Sequence, residues 1–256
     1  MINTPQPAPG NVKRIGQVLI FMYGVLSYVT GLGGFVFFML FIGGWDFLPF
    51  QMDSRPPGPI ATAVSINLGL IGVFGLQHTL LARQAFKNAW ATAFPKAAER
   101  STYVLLSGIL MFFIGYFWCP LSGTIWHFEN STFRIAMTIL QLSGWTLAVT
   151  ASFVINHFEL FGLQQTYFSL ANKPTPPARF TERFLYKKVR HPLQLGLLIG
   201  IWSTSTMTTT HLMLSVTMSL YILIGLYYEE KDLVATLGAP YEDYRQRVRM
   251  LLPLPK

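Results

Sequence analysis

Arg190-His191-Pro192-Leu193-Gln194-Leu195-Gly196 opens the stretch that decides how this chain is built. From Pro192 the sequence runs apolar to Tyr228 and turns abruptly polar at Glu229-Glu230-Lys231-Asp232. It closes on Gly238, Tyr241, Tyr244, Arg245 and Leu252-Pro253. An apolar hairpin is thus held between a basic end and an acidic end. Folded back on itself, it sets Arg190 and His191 beside Glu229 and Glu230 on one face. That convergence suits a small charged ligand at a membrane surface. The plainer reading of the two glutamates is a helix end facing water, since charges at a membrane boundary are common.

Working outward, the rest of the chain reads as membrane protein. Hydrophobic residues make up 52% and charged residues 12%, against about 25% charged in a typical soluble domain. Apolar runs at 15–44, 60–82, 102–119, about 133–156 and 192–228 approach or exceed the roughly 20 residues that span a bilayer. The first is too long for a signal peptide, and no small-residue cleavage site follows it. The expected fold class is all-α: a polytopic membrane helix bundle of five to six transmembrane segments. The C-terminal hairpin, with its cytoplasmic tail, would form the ligand site. Residues 1–12 are Pro-rich and polar and are expected to be disordered. That leaves 13–256 as a single integral membrane domain, with 184–256 as its ligand-binding region. The weak element is 192–203, short for a full span. Either its helix starts earlier, near Phe184, or the hairpin is re-entrant, which sheltered backbone tolerates.

Charge placement sets the orientation. If the first four runs span and 192–228 crosses twice, segments 1–14, 83–101, 157–191 and 229–256 share one side. They hold 2, 4, 6 and 5 Lys/Arg, which sums to 17 of the 19; Arg55 and Arg134 fall on the other side. By the positive-inside rule both termini are cytoplasmic. The same distribution explains the net charge of +8 without nucleic acid. The lone Cys119 excludes an internal disulfide and a cysteine metal cluster, and reads as a small hydrophobe at a helix end.

Several residues have the chemistry for a site. His78, His157 and His191 lie near cytoplasmic helix ends, so a haem- or metal-binding membrane carrier is one alternative. Their spacing matches no local metal motif, and no metal site is expected. His127 and His211 fall on the opposite side and receive no role. In Asn156-His157-Phe158-Glu159 a His and a carboxylate two residues apart have the means to move a proton; a solvated polar cap is the plainer reading. There is no Gly-rich loop of the dinucleotide or P-loop type.

The four C-terminal elements together resemble the isoprenylcysteine carboxyl methyltransferase and phospholipid methyltransferase superfamily. Its pattern is RHPxYxG, then EExxL, then GxxYxxY, then LP. Here these are Arg190–Gly196, Glu229–Leu233, Gly238–Tyr244 and Leu252-Pro253. Gln194 replaces the superfamily Tyr, keeping a hydrogen-bonding end but losing an aromatic face. A narrower resemblance, to the methanethiol S-methyltransferases, adds Gly75–His78, Glu99–Leu106, Asn156–Leu163 and the stretch around Thr206-Met207-Thr208.

The resemblance implies S-adenosylmethionine as methyl donor, a small volatile thiol (methanethiol) as acceptor and dimethyl sulfide as product. It implies that His191, Leu193, Gln194, Glu229 and Glu230 contact the cofactor, with Arg190 pairing its carboxylate. Tyr186, Tyr241 or Tyr244 would supply the missing ring. A thiol must lose its proton to become the nucleophile. His157 or Glu159 is a candidate to accept it, with Arg100 stabilising the anion. The setting implied is a bacterial inner membrane with the site cytoplasmic, the bilayer as partner and no obligate protein partner. Related enzymes acting on a prenylcysteine carboxylate or a phospholipid amine are the nearest alternative.

Overall fold

The computed structural model describes residues 11–45, 48–176 and 180–253, and only the backbone of Asn11 and Val12. In chain order the helices and strands are α1 (Asn11–Ile42), α2 (Ile60–Ala82), α3 (Gln84–Ala93), α4 (Glu99–Phe117), β1 (Thr124–His127) and α5 (Ser131–Ile155). There follow α6 (His157–Leu160), α7 (Leu163–Leu170), α8 (Pro192–Trp202), β2 (Thr206–Thr208), α9 (Thr209–Leu237) and α10 (Ala239–Arg247). Residues 1–10 of the expected N-terminal tail lie outside the described residues, and α1 already begins at Asn11.

Among the described residues five helices are long and apolar enough to cross a membrane: α1, α2, α4, α5 and α9. Apolar side chains surround them instead of marking one stripe. Val73, Phe113, Ile139 and Leu220 point outward and are exposed, as suits a lipid-facing surface. With lipid as apolar as Leu, close packing has to hold the helices together, and small residues supply it. A Cβ on Gly108 would lie 2.5 Å from the Thr30 carbonyl oxygen, so α1 and α4 meet backbone to backbone. A Cβ on Gly196 would lie 2.5 Å from the Gly144 carbonyl oxygen, which locks α8 against α5.

Polar residues inside the apolar runs are spent on backbone groups. Asn67, fully buried in α2, donates to the Cys119 carbonyl at 2.8 Å and accepts from the Cys119 N–H at 2.9 Å. Arg55 donates to the Gly115 carbonyl at 2.8 Å. Arg55 thus satisfies a carbonyl in the last turn of α4 that would otherwise be left orphaned, and Asn67 satisfies the backbone just beyond it. At the same end of the bundle β1 and β2 pair antiparallel, His127 opposite Thr206. This small sheet is an addition to the all-α expectation.

The short segment after Pro192 resolves simply. Pro192 sits in the first turn of α8, where its missing N–H costs nothing. The helix does not begin at Phe184, where a separate 3-10 turn, Phe184–Lys187, is found. Eleven residues of α8 reach about 16 Å, roughly half of a ~30 Å hydrocarbon core. Its end is sheltered by α9: His211 donates to the Ile201 carbonyl at 2.8 Å and Ser215 to the same oxygen at 2.9 Å. His211, for which no role was expected, therefore closes a helix end inside the bundle. Extended chain then leads through β2 to the start of α9.

At the opposite end, α1 starts, α3, α6 and α7 lie along the surface, and α9 and α10 finish. Arg83 reaches Asp232 at 3.4 Å and covers the Tyr228 ring, tying α2 to α9 there.

Candidate active site

Four separated sequence elements form one clasp. Glu230, two turns before the end of α9, is buried. Its Oε1 accepts from Arg190 Nε at 2.9 Å and the Tyr241 hydroxyl at 2.8 Å, and lies 2.6 Å from His191 Nε2. Its Oε2 accepts from Arg190 Nη2 at 3.0 Å and lies 3.0 Å from Arg245 Nε. Arg190 donates through Nη1 to the Val248 and Arg245 carbonyls. Its own N–H bonds the Arg249 carbonyl, and that of His191 the Met250 carbonyl. The tail after α10 is thereby stitched alongside the entry to α8.

Gly238 makes this return possible. Its φ of +63° ends α9 and starts α10, a conformation that suits glycine. α10 then delivers Tyr241 and Tyr244 to the clasp. The Tyr244 hydroxyl donates to the Tyr186 carbonyl at 2.6 Å, and Phe180 packs edge-on against both rings. Burial raises the phenol pKa of Tyr186, Tyr241 and Tyr244 above the ordinary range, so all three stay protonated donors.

Glu229 differs from its neighbour. Its side chain is 47% exposed; Gln194 Nε2 donates to it at 3.3 Å and His191 Nδ1 lies 3.8 Å away. It is also within electrostatic reach of Arg100. Adjacent residues on a helix point about 100° apart, so one carboxylate closes the clasp and the other faces outward. Leu193, half-buried in the first turn of α8, lies between His191 and Gln194 in sequence. The structure thus brings together Tyr186, Arg190, His191, Gln194, Glu229, Glu230, Tyr241 and Tyr244.

The three residues expected to handle the thiol proton are divided. Arg100 and Glu159 line one cavity of about 680 Å³, together with Lys87, Lys96, Asn156 and Lys173. Arg100 donates to the Leu160 carbonyl at 2.7 Å and lies 4.5 Å over the Tyr103 ring. His157 is buried in an aromatic nest, stacked on Phe153 at 4.2 Å and tilted on Phe161 at 4.5 Å. Its Nε2 lies 3.1 Å from the Tyr28 hydroxyl and its Nδ1 2.9 Å from Ser152 Oγ. Burial lowers its pKa, so the ring is neutral.

A second histidine cluster was not legible as such. His78 Nε2 lies 2.5 Å from the Tyr103 hydroxyl and its Nδ1 3.0 Å from Ser107 Oγ. Tyr103 is in electrostatic reach of Arg100, Tyr221 and Glu229. The sequence signals were His78 within the apolar run of α2 and the Tyr103/Ser107 spacing of one helical turn. Nothing in the sequence pairs α2 with α4. Among the described residues no group of three or more His, Cys, Asp or Glu is placed to hold a metal ion.

Fold and site together define a polytopic helical membrane protein with a half-open charged clasp at one end of its last hairpin. Comparison with known proteins narrows the class. The chain is 41% identical to the methanethiol S-methyltransferase of Crocosphaera subtropica over 239 residues, 93% of each chain. It is 41% identical to that of Mycobacterium tuberculosis over 239 residues, 93% of this chain and 98% of the relative. The chain belongs to the methanethiol S-methyltransferase family. A Nurim homolog of Drosophila pseudoobscura pseudoobscura is a more distant relative, 28% identical over 194 residues, 73% of this chain and 76% of its own. No family model matches the chain, and no solved structure does.

Proposed function

We propose that this protein transfers a methyl group from S-adenosylmethionine to methanethiol and releases dimethyl sulfide. The observation that carries this reading is the identity of 41% over 93% of the chain to proteins named for that activity. The side chains fit the cofactor's charges. A half-exposed carboxylate with unused acceptor capacity, Glu229, suits a cationic amino group or sulfonium. Gln194, beside it, offers an amide for hydrogen bonding.

When bound, the cofactor supplies an electrophilic methyl group on a positively charged sulfur. The protein's part is placement and deprotonation of the acceptor. Glu229, Gln194, Leu193 and His191 form the binding face. Arg190, Glu230, Tyr241 and Tyr244 hold that face in position, and Tyr186 backs it. Arg100 and Glu159 line the acceptor's approach. Both termini and the site lie on the cytoplasmic side of a bacterial inner membrane, in keeping with the 17 basic residues assigned to that side.

The test is incubation of purified protein with S-adenosylmethionine and a panel of acceptors, with headspace detection of volatile sulfide. Dimethyl sulfide from methanethiol is expected. Methylation of a prenylcysteine or phospholipid analogue alone would overturn the acceptor and leave the cofactor reading intact.

A further inference from the structure

We infer that Tyr103 takes the proton from the acceptor thiol and passes its own to His78. This rests on the thiol methylation proposed above and assigns the proton acceptor of that same site.

Of the Ser107 contacts, to the Tyr103 carbonyl, His78 Nδ1 and Gln77 Oε1, the shortest assigns the hydrogen-bond directions of the chain. Ser107 Oγ has one proton, and the helix carbonyl of Tyr103, at 2.8 Å, takes it. Ser107 therefore accepts from His78, which places a hydrogen on Nδ1. His78 Nε2 is then bare and can only accept, so the bond to the Tyr103 hydroxyl runs from phenol to imidazole. Tyr103 is left with a phenolic oxygen whose own proton is already committed to a base. Its oxygen is free to accept another.

The surroundings suit an anion arriving at that oxygen. The Arg100 guanidinium lies over the Tyr103 ring at 4.5 Å. Gln77, one residue before His78, has a buried amide nitrogen with no protein acceptor. Glu229, in electrostatic reach of Tyr103, links this chain to the cofactor face, and its negative charge works against the Arg100 attraction for an anion. Tyr221, edge-on to His78 at 6.3 Å, closes the α9 side. A Tyr28–His157–Ser152 chain has the same pattern, but aromatic rings of Phe153, Phe158 and Phe161 enclose it. A thiol at the His78 chain meets Arg100 and the cofactor face; one at the His157 chain meets hydrocarbon.

The step balances. The thiol S–H bond breaks and its proton goes to Tyr103 Oη as the phenolic proton moves to His78 Nε2. The freed sulfur lone pair forms the new S–CH₃ bond, and the donor sulfur keeps the electron pair of the bond that breaks. His78 afterwards loses its extra proton to solvent.

The test compares two acceptors of similar size and different acidity, ethanethiol and 2,2,2-trifluoroethanethiol. Tyr103→Phe removes the phenolic oxygen. His78→Gln keeps a hydrogen-bonding partner for Tyr103 but cannot take its proton. In both variants turnover of ethanethiol is expected to fall about 10²-fold or more. Turnover of the fluorinated thiol, which ionises without help, stays within about threefold, since its proton no longer needs a base. Affinity for S-adenosylmethionine by calorimetry is unchanged. Nitrogen-15 NMR of histidine-labelled wild-type protein is expected to show His78 protonated on Nδ1 alone. Equal losses on both thiols, no loss on either, or the opposite tautomer would each overturn the relay. Wild-type protein that methylates neither thiol would instead sink the proposed function itself.

Discussion

Arg190 and Glu230, forty residues apart in sequence, meet side-on through two parallel hydrogen bonds, Nε to Oε1 at 2.9 Å and Nη2 to Oε2 at 3.0 Å. Both side chains are only 9% exposed. Breaking a buried, hydrogen-bonded ion pair by changing one partner typically costs roughly 3–5 kcal/mol. Glu230→Gln should therefore lower the thermal midpoint of the purified protein markedly, and cofactor binding with it. Unchanged melting would show that the clasp does not hold the C-terminal tail.

Glu229→Gln should behave differently. This carboxylate is half-exposed and carries no such network, so melting should stay near wild type. Loss of one charge-assisted contact should weaken S-adenosylmethionine binding about tenfold. Titration calorimetry on both variants separates the two glutamates. Wild-type affinity in Glu229→Gln would mean that Glu229 is only a solvated helix residue.

The seam between α5 and α8 has no room for a side chain. Gly144→Val would drive Cγ atoms into Gly196 and Gly200, whose backbone already lies 2.6–2.8 Å from a Cβ at that position. Overpacking of this kind costs about 1–3 kcal/mol. Because α8 carries His191, Leu193 and Gln194, methyl-transfer activity should fall along with stability. A variant as active and as heat-stable as wild type would contradict the backbone-to-backbone contact.

Acidification should weaken the fold through His157. Its folded pKa is lowered by burial, whereas an unfolded chain titrates near ~6.5. Below that value the unfolded state binds a proton that the folded state refuses, so stability falls as pH drops. Above it the residue costs nothing. Melting measured between about pH 7.5 and 5.5 should decline more steeply for wild type than for His157→Gln. Parallel declines would mean that the ring is protonated in place.

Orientation can be read by labelling in a Cys119→Ala background. A cysteine at Ser54 should react with an impermeant reagent from outside the cell and one at Lys173 should not, given where the basic residues gather. The opposite pattern would invert the protein and move the site to the outer face.

The sequence by itself determined the long apolar helices. Apolar length is a local property, and the runs 60–82 and 133–156 correspond to α2 and α5 within two residues. The clasp was legible too, because a hairpin must return Glu229 and Glu230 to the level of Arg190 and His191. Tertiary structure alone decided which glutamate is sealed and which faces out, since that depends on the α10 turn at Gly238 and the tail laid beside Val189. It also decided how an eleven-residue helix survives in the bundle, through His211 and Ser215 on a neighbouring element. The pairing of His78 with Tyr103 was likewise hidden. Contacts between helices follow from which faces pack, and in helices apolar all round the sequence period does not mark those faces.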